Sequence, residues 1–317
     1  MAAPKTLQEA ILHFADYQNC FDAMVKYRWP DGKVACPHCG SEKVTYLANA
    51  RVWKCYANHD RPRFSLKTGT IFEDSPLGLD KWLPVMWMLV NCKNGISSYE
   101  IHRGLGLTQK TAWFMLQRAR LALQDPQTGG KLSGEVEVDE TFIGGEARNM
   151  HADVKERKIH GRGPSGKAIV AAVLQRGGKV RAKVVDKRKK KDLRALVREN
   201  VEPNSALYSD ALKSYDGLSD EYAHQVVDHV TEYVRENVHT NGMENFRSLL
   251  KRGINGTYIS VEPFHLFRYV DEQAFRFNNR PDMNDSDRFD VAMKQIVGKR
   301  LTYQELIGAG KPRPETT

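Results

Sequence analysis

The chain has no apolar run near the roughly 20 residues that a membrane-spanning helix needs. Its opening residues, MAAPKTLQEAILHF, lack the long apolar core of a signal peptide and carry an acid early. Cysteine is scarce and odd in number, five in 317 residues, with only three at metal-like spacing. That argues against a disulfide framework and for a reducing cytoplasm. Cys20 and Cys92 then read as ordinary small core residues. There is no internal repeat and no low-complexity segment, which excludes solenoids and compositionally disordered chains. Acid is also in short supply: 39 Asp and Glu against 48 Lys and Arg, a net charge of +9 and a pI near 9.2. Clustered cations neutralise phosphates and release counterions, so a polyanionic partner is favoured.

The cysteines that are present carry the strongest local signal. Cys36-x2-Cys39 and Cys55-x3-His59 give a Cys3His set with 15 residues between the pairs. A two-residue gap lets one tight turn supply two ligands, and a site filled by four protein ligands stabilises a fold without catalysing anything. His38, inside the first pair, is the weaker candidate for the fourth ligand.

Apolar spacing divides the chain into three parts: a helix and zinc ribbon over 1–78, a helix-turn-helix with linker over 79–131, and a third part over 132–317. In the first part a helix is expected over 6–26, short strands at VTYL and RVWKC, and another strand over 64–72. In the second, SSYEIHRGLGLTQKTAWFMLQRARLAL reads as helix, turn and helix, with Thr108 as N-cap of the second. Gln109, Lys110, Trp113 and Arg118 would present that second helix to a DNA major groove. QDPQTGG at 124–130 reads as a linker.

In the third part, GEVEVDETFIGG is a strand carrying Asp139 near its end, and SALYSD is a strand ending at Asp210. KAIVAAVLQRGGKVRAKVVD is a hairpin, KKDLRALVRENV a helix, HQVVDH a strand, and two helices close the chain. Strand order of this kind is that of RNase H-like folds. Glu244 follows Asp210 after a gap of 33 residues and begins a helix that carries Lys251 seven places on, with Asn241 one turn earlier. Three such carboxylates can hold two divalent metals for phosphoryl transfer. Two basic stretches, 148–167 with Arg148 and Arg162, and 186–191 with Lys187, Arg188, Lys189 and Lys190, are candidate contacts to a phosphate backbone. The first reads as a mobile loop. Arg268, Arg276 and Arg280 are further candidates near the C-terminus, where Phe264, Phe267, Phe275 and Phe277 are expected to pack on the sheet.

Nearly the whole chain resembles the bacterial insertion-sequence transposases of the Asp-Asp-Glu class, in the subgroup with an N-terminal zinc ribbon. The resemblance runs through RWPDG, CPHC, FSLKTGTIFEDS, EVDETFIGG, SDALKSY, HTNGMENFRSLLKRGINGTY and FRYVDEQAFRFNNR. It implies a mixed α/β chain in which a zinc ribbon and a helix-turn-helix precede an RNase H-like catalytic domain. Asp139, Asp210 and Glu244 would hold two Mg2+ or Mn2+ ions, Lys251 would lie near a phosphate, and Zn2+ would be structural. Members of the subgroup carry Asn or Glu as the third residue. Glu244 is favoured here for its charge, its spacing and its lysine, with Asn241 as an amide ligand or substrate contact. The implied partners are double-stranded DNA, at element ends and target, and a second copy of the chain or more. The implied location is a bacterial cytoplasm, at the nucleoid, away from membrane. A DNA-binding regulator and an RNase H-like nuclease or resolvase without strand transfer are the other readings.

Overall fold

The computed structural model describes residues 4–126, 130–145, 147–159, 166–186, 189–210, 215, 217–227 and 239–308. It divides into two compact units: residues 1–123 with 282–317, and residues 124–281. The third part expected over 132–317 therefore ends as a compact unit near Pro281. The residues beyond it pack on the first unit instead.

In the first unit, α1 (Leu7–Ala15) and α2 (Tyr17–Arg28) replace the single helix expected over 6–26. The break is at Asp16, whose extended backbone (ψ 128°) leaves the helical region. Its carboxylate accepts from the Gln18 and Asn19 amides at 2.7 and 3.1 Å. Aspartate competes for backbone donors in this way, which makes it a cap rather than a helix-interior residue. A three-stranded antiparallel sheet follows: β1 (Val44–Leu47), β2 (Val52–Cys55) and β3 (Arg63–Phe64). The strand expected over 64–72 stops after Phe64. The Arg28 guanidinium donates to the carbonyls of Ser65, Leu66 and Thr68, which thereby have partners outside a ladder. Gly69, at φ +75°, turns the chain.

Next come α3 (Leu79–Asn91), α4 (Ser98–Leu105) and α5 (Gln109–Ala122). Ser97 and Glu100 form a capping box on α4, Gly106 ends it in the left-handed region, and Thr108 caps α5 through the Thr111 amide. The core of the unit gathers Phe14, Met24, Trp82 and Trp87, which α10 (Asp285–Met293) completes with Phe289. Its ring lies 5.3 Å from that of Trp87 and 5.6 Å from that of Phe14. A β-bridge from Thr70 to Val297 ties the same C-terminal segment down.

The second unit is a five-stranded mixed sheet in the order β6-β5-β4-β7-β8. β4 (Glu135–Ile143), β5 (Ala168–Gln175) and β6 (Val180–Val185) are antiparallel neighbours, whereas β7 (Ala206–Asp210) and β8 (Ala223–Val227) run parallel to β4. This is the RNase H-like arrangement. Apolar side chains bury both faces. Val136, Val138, Val173 and Leu207 meet Leu193 and Val197 of α7 (Lys190–Asn200) on one. Val170, Ala172 and Leu174 meet α8 (Asn241–Arg252) and α9 (Leu266–Asn278) on the other. On the edge strand β6, the Asn278 amide takes both backbone groups of Val180, at 2.8 and 2.9 Å.

Between β4 and β5, the basic stretch expected as a loop holds a 3-10 turn at Ala147–Asn149 and the short helix α6 (Ala152–Lys158). In α9, Arg268 and Arg276 are buried, so neither is a surface cation; Arg276 pairs with Glu272, also buried. Phe264 is exposed rather than packed on the sheet. Among the described residues, no helix is long and apolar enough to cross a membrane. Leu207, fully buried on the α7 face, is expected to cost about 2–5 kcal/mol when cut to alanine. Denaturant unfolding followed by circular dichroism checks this.

Candidate functional site

On a strand, successive side chains alternate between faces. Along β4, Glu135, Glu137, Asp139 and Thr141 therefore share the α8 face, while Val136, Val138 and Glu140 face α7. Glu140, though next to Asp139 in sequence, accepts a hydrogen bond from the Tyr215 hydroxyl at 2.6 Å on that other side. β4 and β7 pair in parallel up to Val138 opposite Ser209. One further step sets Asp139 beside Asp210, at the end of β7.

Asp139 is 9% exposed, and its carboxylate pairs with Arg247 of α8 at 2.9 Å. Glu244, Arg247 and Lys251 stand at i, i+3 and i+7, on one face of that helix. Glu244, half-buried, thus lies on the helix face that meets Asp139, and Asn241 is exposed at the first helical position. Lys251 titrates below its ordinary value. Desolvation is the main cause, with the charges of Arg247 and Lys167 adding to it and Asp139 opposing it. Cations crowded beside a carboxylate in this way suit an incoming phosphate.

Sequence reasoning missed the residues that hold this arrangement from beneath. Glu137 is 1% exposed and accepts from the Met243 amide, in the first turn of α8, at 2.7 Å. A carboxylate there satisfies a helix N-terminal donor and complements the helix dipole. Gly242 is needed for this approach. A Cβ on it would stand 2.9 Å from the Leu174 side chain and 3.0 Å from the Glu137 carboxylate. Arg176, in the β5–β6 turn, donates to Glu137 at 3.0 Å and to the His239 carbonyl at 2.6 Å. The one hint in the sequence is the alternation Glu135, Glu137, Asp139, which marks a single face.

In the first unit, the ligand atoms of Cys36, Cys39, Cys55 and His59 all lie within 4.8 Å of one another. Cys36 Sγ is 3.6 Å from His59 Nε2, and Cys39 Sγ is 3.7 Å from Cys55 Sγ. The Arg61 amide donates to His59 Nδ1 at 3.2 Å, which leaves Nε2 turned toward the thiols. His38 stands outside the set, its ring 5.9 Å from that of His59. Desolvation pushes the Cys55 thiol up. The Ala57 amide and the side chains of His59, Cys39 and Cys36 outweigh it, bringing it down to about 7. Soft donors in a compact set of four fit a structural zinc ion.

The expected reading helix is more buried than its sequence suggests. Arg118 is 3% exposed. It donates to the Glu73 carbonyl, and its guanidinium faces the rings of Trp82 and Phe114. The cation is thus absorbed into the packing of α5 and is not available to a DNA groove. Trp113 is half-buried. Gln109 donates to Ser98 Oγ at 2.9 Å, and Lys110 is exposed, its ammonium 5.0 Å from the Tyr303 ring. Arg148, Lys189 and Lys190 are exposed. Arg162, Lys187 and Arg188 lie outside the described residues.

Two family models match this chain. The ISXO2-like transposase domain matches residues 131–278, and the transposase zinc-ribbon domain matches residues 16–59. An uncharacterized protein in transposable element ISH50 of Halobacterium salinarum is 28% identical over 253 residues, 76% of this chain and 84% of that protein. An uncharacterized transposase-like protein of Haemophilus influenzae is 33% identical over 85 residues, 26% of this chain and 68% of that protein. Among solved structures, a chain of the simian T-cell lymphotropic virus intasome in complex with PP2A regulatory subunit B56 gamma aligns at 11% identity. The alignment covers 55% of this chain and 63% of that one, with a TM-score of 0.28.

Purified protein is expected to hold one zinc ion per chain on Cys36, Cys39, Cys55 and His59. Metal analysis of the wild type and of Cys36→Ser checks this; the variant should lose the ion. Chelation should unfold the ribbon while leaving the 124–281 unit folded, because every ligand lies in the other unit.

Proposed function

This chain belongs to the ISXO2-like insertion-sequence transposases, and we propose that it binds the terminal inverted repeats of its element, cleaves them and joins the freed 3′ hydroxyls to target DNA. The observation that carries this reading is the juxtaposition of Asp139 and Asp210 on neighbouring parallel strands, beneath the α8 face that bears Glu244. Hard carboxylate oxygens fit divalent cations such as Mg2+ or Mn2+. Asp139, Asp210 and Glu244 would hold a pair of them. When bound, such ions supply an activated nucleophile and neutralise charge on the leaving oxygen.

The chain's own residues do the rest. Arg247 holds the Asp139 carboxylate in place. Lys251 and Lys167 face the phosphate being exchanged as point charges. Asn241, exposed at the start of α8, contacts substrate or stands in as the third ligand. Gln109 and Lys110, in the first turn of α5, read the element end, with Trp113 beside them. Arg148, Lys189 and Lys190, with Arg162, Lys187 and Arg188, grip the phosphate backbone. Two ends must be processed together, so a homodimer or larger assembly forms on DNA. The excess of 48 basic over 39 acidic residues supports that partner, and the reading places the protein in the bacterial cytoplasm at the nucleoid.

Asp139→Asn, Asp210→Asn and Glu244→Gln are each expected to leave DNA binding nearly intact. Each should lower cleavage and joining by on the order of 10²–10³-fold or more, since transition-state charge then goes unbalanced. Assays on element-end duplexes with Mg2+ measure this. If Asn241→Ala stops cleavage while Glu244→Gln cuts normally, Asn241 is the third residue. If all four variants cut and join normally, the proposal fails. A product that is cut but never joined would make the chain a nuclease.

DNA affinity should fall steeply with salt. Alanines at 187–191 should weaken binding to all sequences alike and flatten the salt slope, whereas Gln109→Ala or Lys110→Ala should change preference for the element end. Fluorescence-anisotropy titrations at several salt concentrations separate the two effects.

A further inference from the structure

One side chain touches β4, β7 and the chain that leads into α8, the three segments that carry the acids. Arg176 closes the β5–β6 turn, and its guanidinium reaches β4 through Glu137 at 3.0 Å and Glu135 at 3.2 Å. It lies over the Tyr208 ring of β7, 4.2 Å from its centroid, and that tyrosine's hydroxyl donates to Glu135 at 2.8 Å. It also donates to the His239 carbonyl at 2.6 Å, on the chain entering α8. Each contact falls a short way before an acid. Glu137 is two residues before Asp139, Tyr208 two before Asp210, and His239 five before Glu244. Glu137 closes the loop by accepting from the Met243 amide inside α8 itself.

We propose that Arg176 is a positioning residue for strand cleavage: by holding Glu137, Tyr208 and the His239 carbonyl at once, it sets the spacing of Asp139, Asp210 and Glu244. The inference rests on the function proposed above. Guanidinium is suited to the task, because its rigid fork donates in several directions while its flat face stacks on a ring. Lysine offers the same charge from a single point, with neither the rigid fork that fixes the angles to Glu137 and the His239 carbonyl nor a flat face to stack on Tyr208. The guanidinium is committed to protein groups, Glu137, the His239 carbonyl and the Tyr208 ring, so the effect should appear in metal affinity and cleavage rate and not in DNA affinity. Partners that orient metal ligands from behind typically change affinity or activity by about 10–100-fold.

The test uses the purified full chain, with Arg176→Lys as the main variant and Arg176→Ala beside it. Three quantities are measured: Mn2+ binding without DNA by electron paramagnetic resonance, the single-turnover cleavage rate against Mg2+ concentration, and the Kd for an element-end duplex. Arg176→Lys should weaken Mn2+ binding and raise the half-saturating Mg2+ by about 10-fold or more, with Kd for DNA within about 3-fold of wild type. Arg176→Ala should do at least as much. If the alanine variant fails to fold, the lysine variant decides. Wild-type Mn2+ binding and Mg2+ dependence in Arg176→Lys would overturn the positioning role and leave the transposase reading standing. A wild-type chain that neither binds Mn2+ nor cleaves would overturn both.

Discussion

The pairing of β7 against β4 is the constraint on which the site depends. Val138 stands opposite Ser209, so Asp139 and Asp210 fall side by side one step further on. A slip of one residue would send β7's side chains to the opposite faces of the sheet. Leu207 would leave the apolar cluster it shares with Val136, Val138 and Leu193, and Tyr208 would leave Arg176 and Glu135. Because each face is buried against its own helices, both sides of the sheet oppose that slip. The packing that stabilises the sheet is thus also what sets two acids together.

The same strand uses carboxylates in two ways. Glu137 lies deep and has donors from Arg176 and the Met243 amide. Burying a charge without such partners costs several kcal/mol, and removing one partner of a buried pair about 3–5 kcal/mol. Asp139, two residues on, pairs instead with Arg247, whose side chain is 37% exposed. That pair is exposed on the arginine side only, and a partly exposed pair is weaker than a fully buried one. The deep acid fixes α8 to the sheet, and the shallower one holds a half-exposed cation of the same helix.

Much of this was legible in the chain. Alternation marked β4, a Gly-Gly turn within an apolar stretch marked β5 and β6, short runs marked β7 and β8, and the spacing of Cys36, Cys39, Cys55 and His59 was enough to foresee a cluster within 4.8 Å. Other features depend on contacts distant in sequence and left no local pattern. The segment with Phe289 joins the N-terminal unit by filling a space between Phe14 and Trp87. Arg118 reads as a surface cation until its guanidinium meets Trp82, Phe114 and the Glu73 carbonyl. Arg176 reads as part of a polar hairpin turn, and only the fold brings Glu137, Tyr208 and His239 to it. The helix break at Asp16 had a local cause, since an aspartate inside an apolar period can cap as well as continue.

The central claim is that Asp139, Asp210 and Glu244, from three separate elements, converge on one divalent-metal site. Replacing Mg2+ by Fe2+ and adding ascorbate and peroxide cuts a polypeptide beside the bound ion, so the fragments report where that ion sits. The account predicts cuts near residues 139, 210 and 244 together, all suppressed by excess Mg2+ and lost in Asp139→Asn. Cuts confined to one of the three elements, or unchanged in Asp139→Asn, would contradict it.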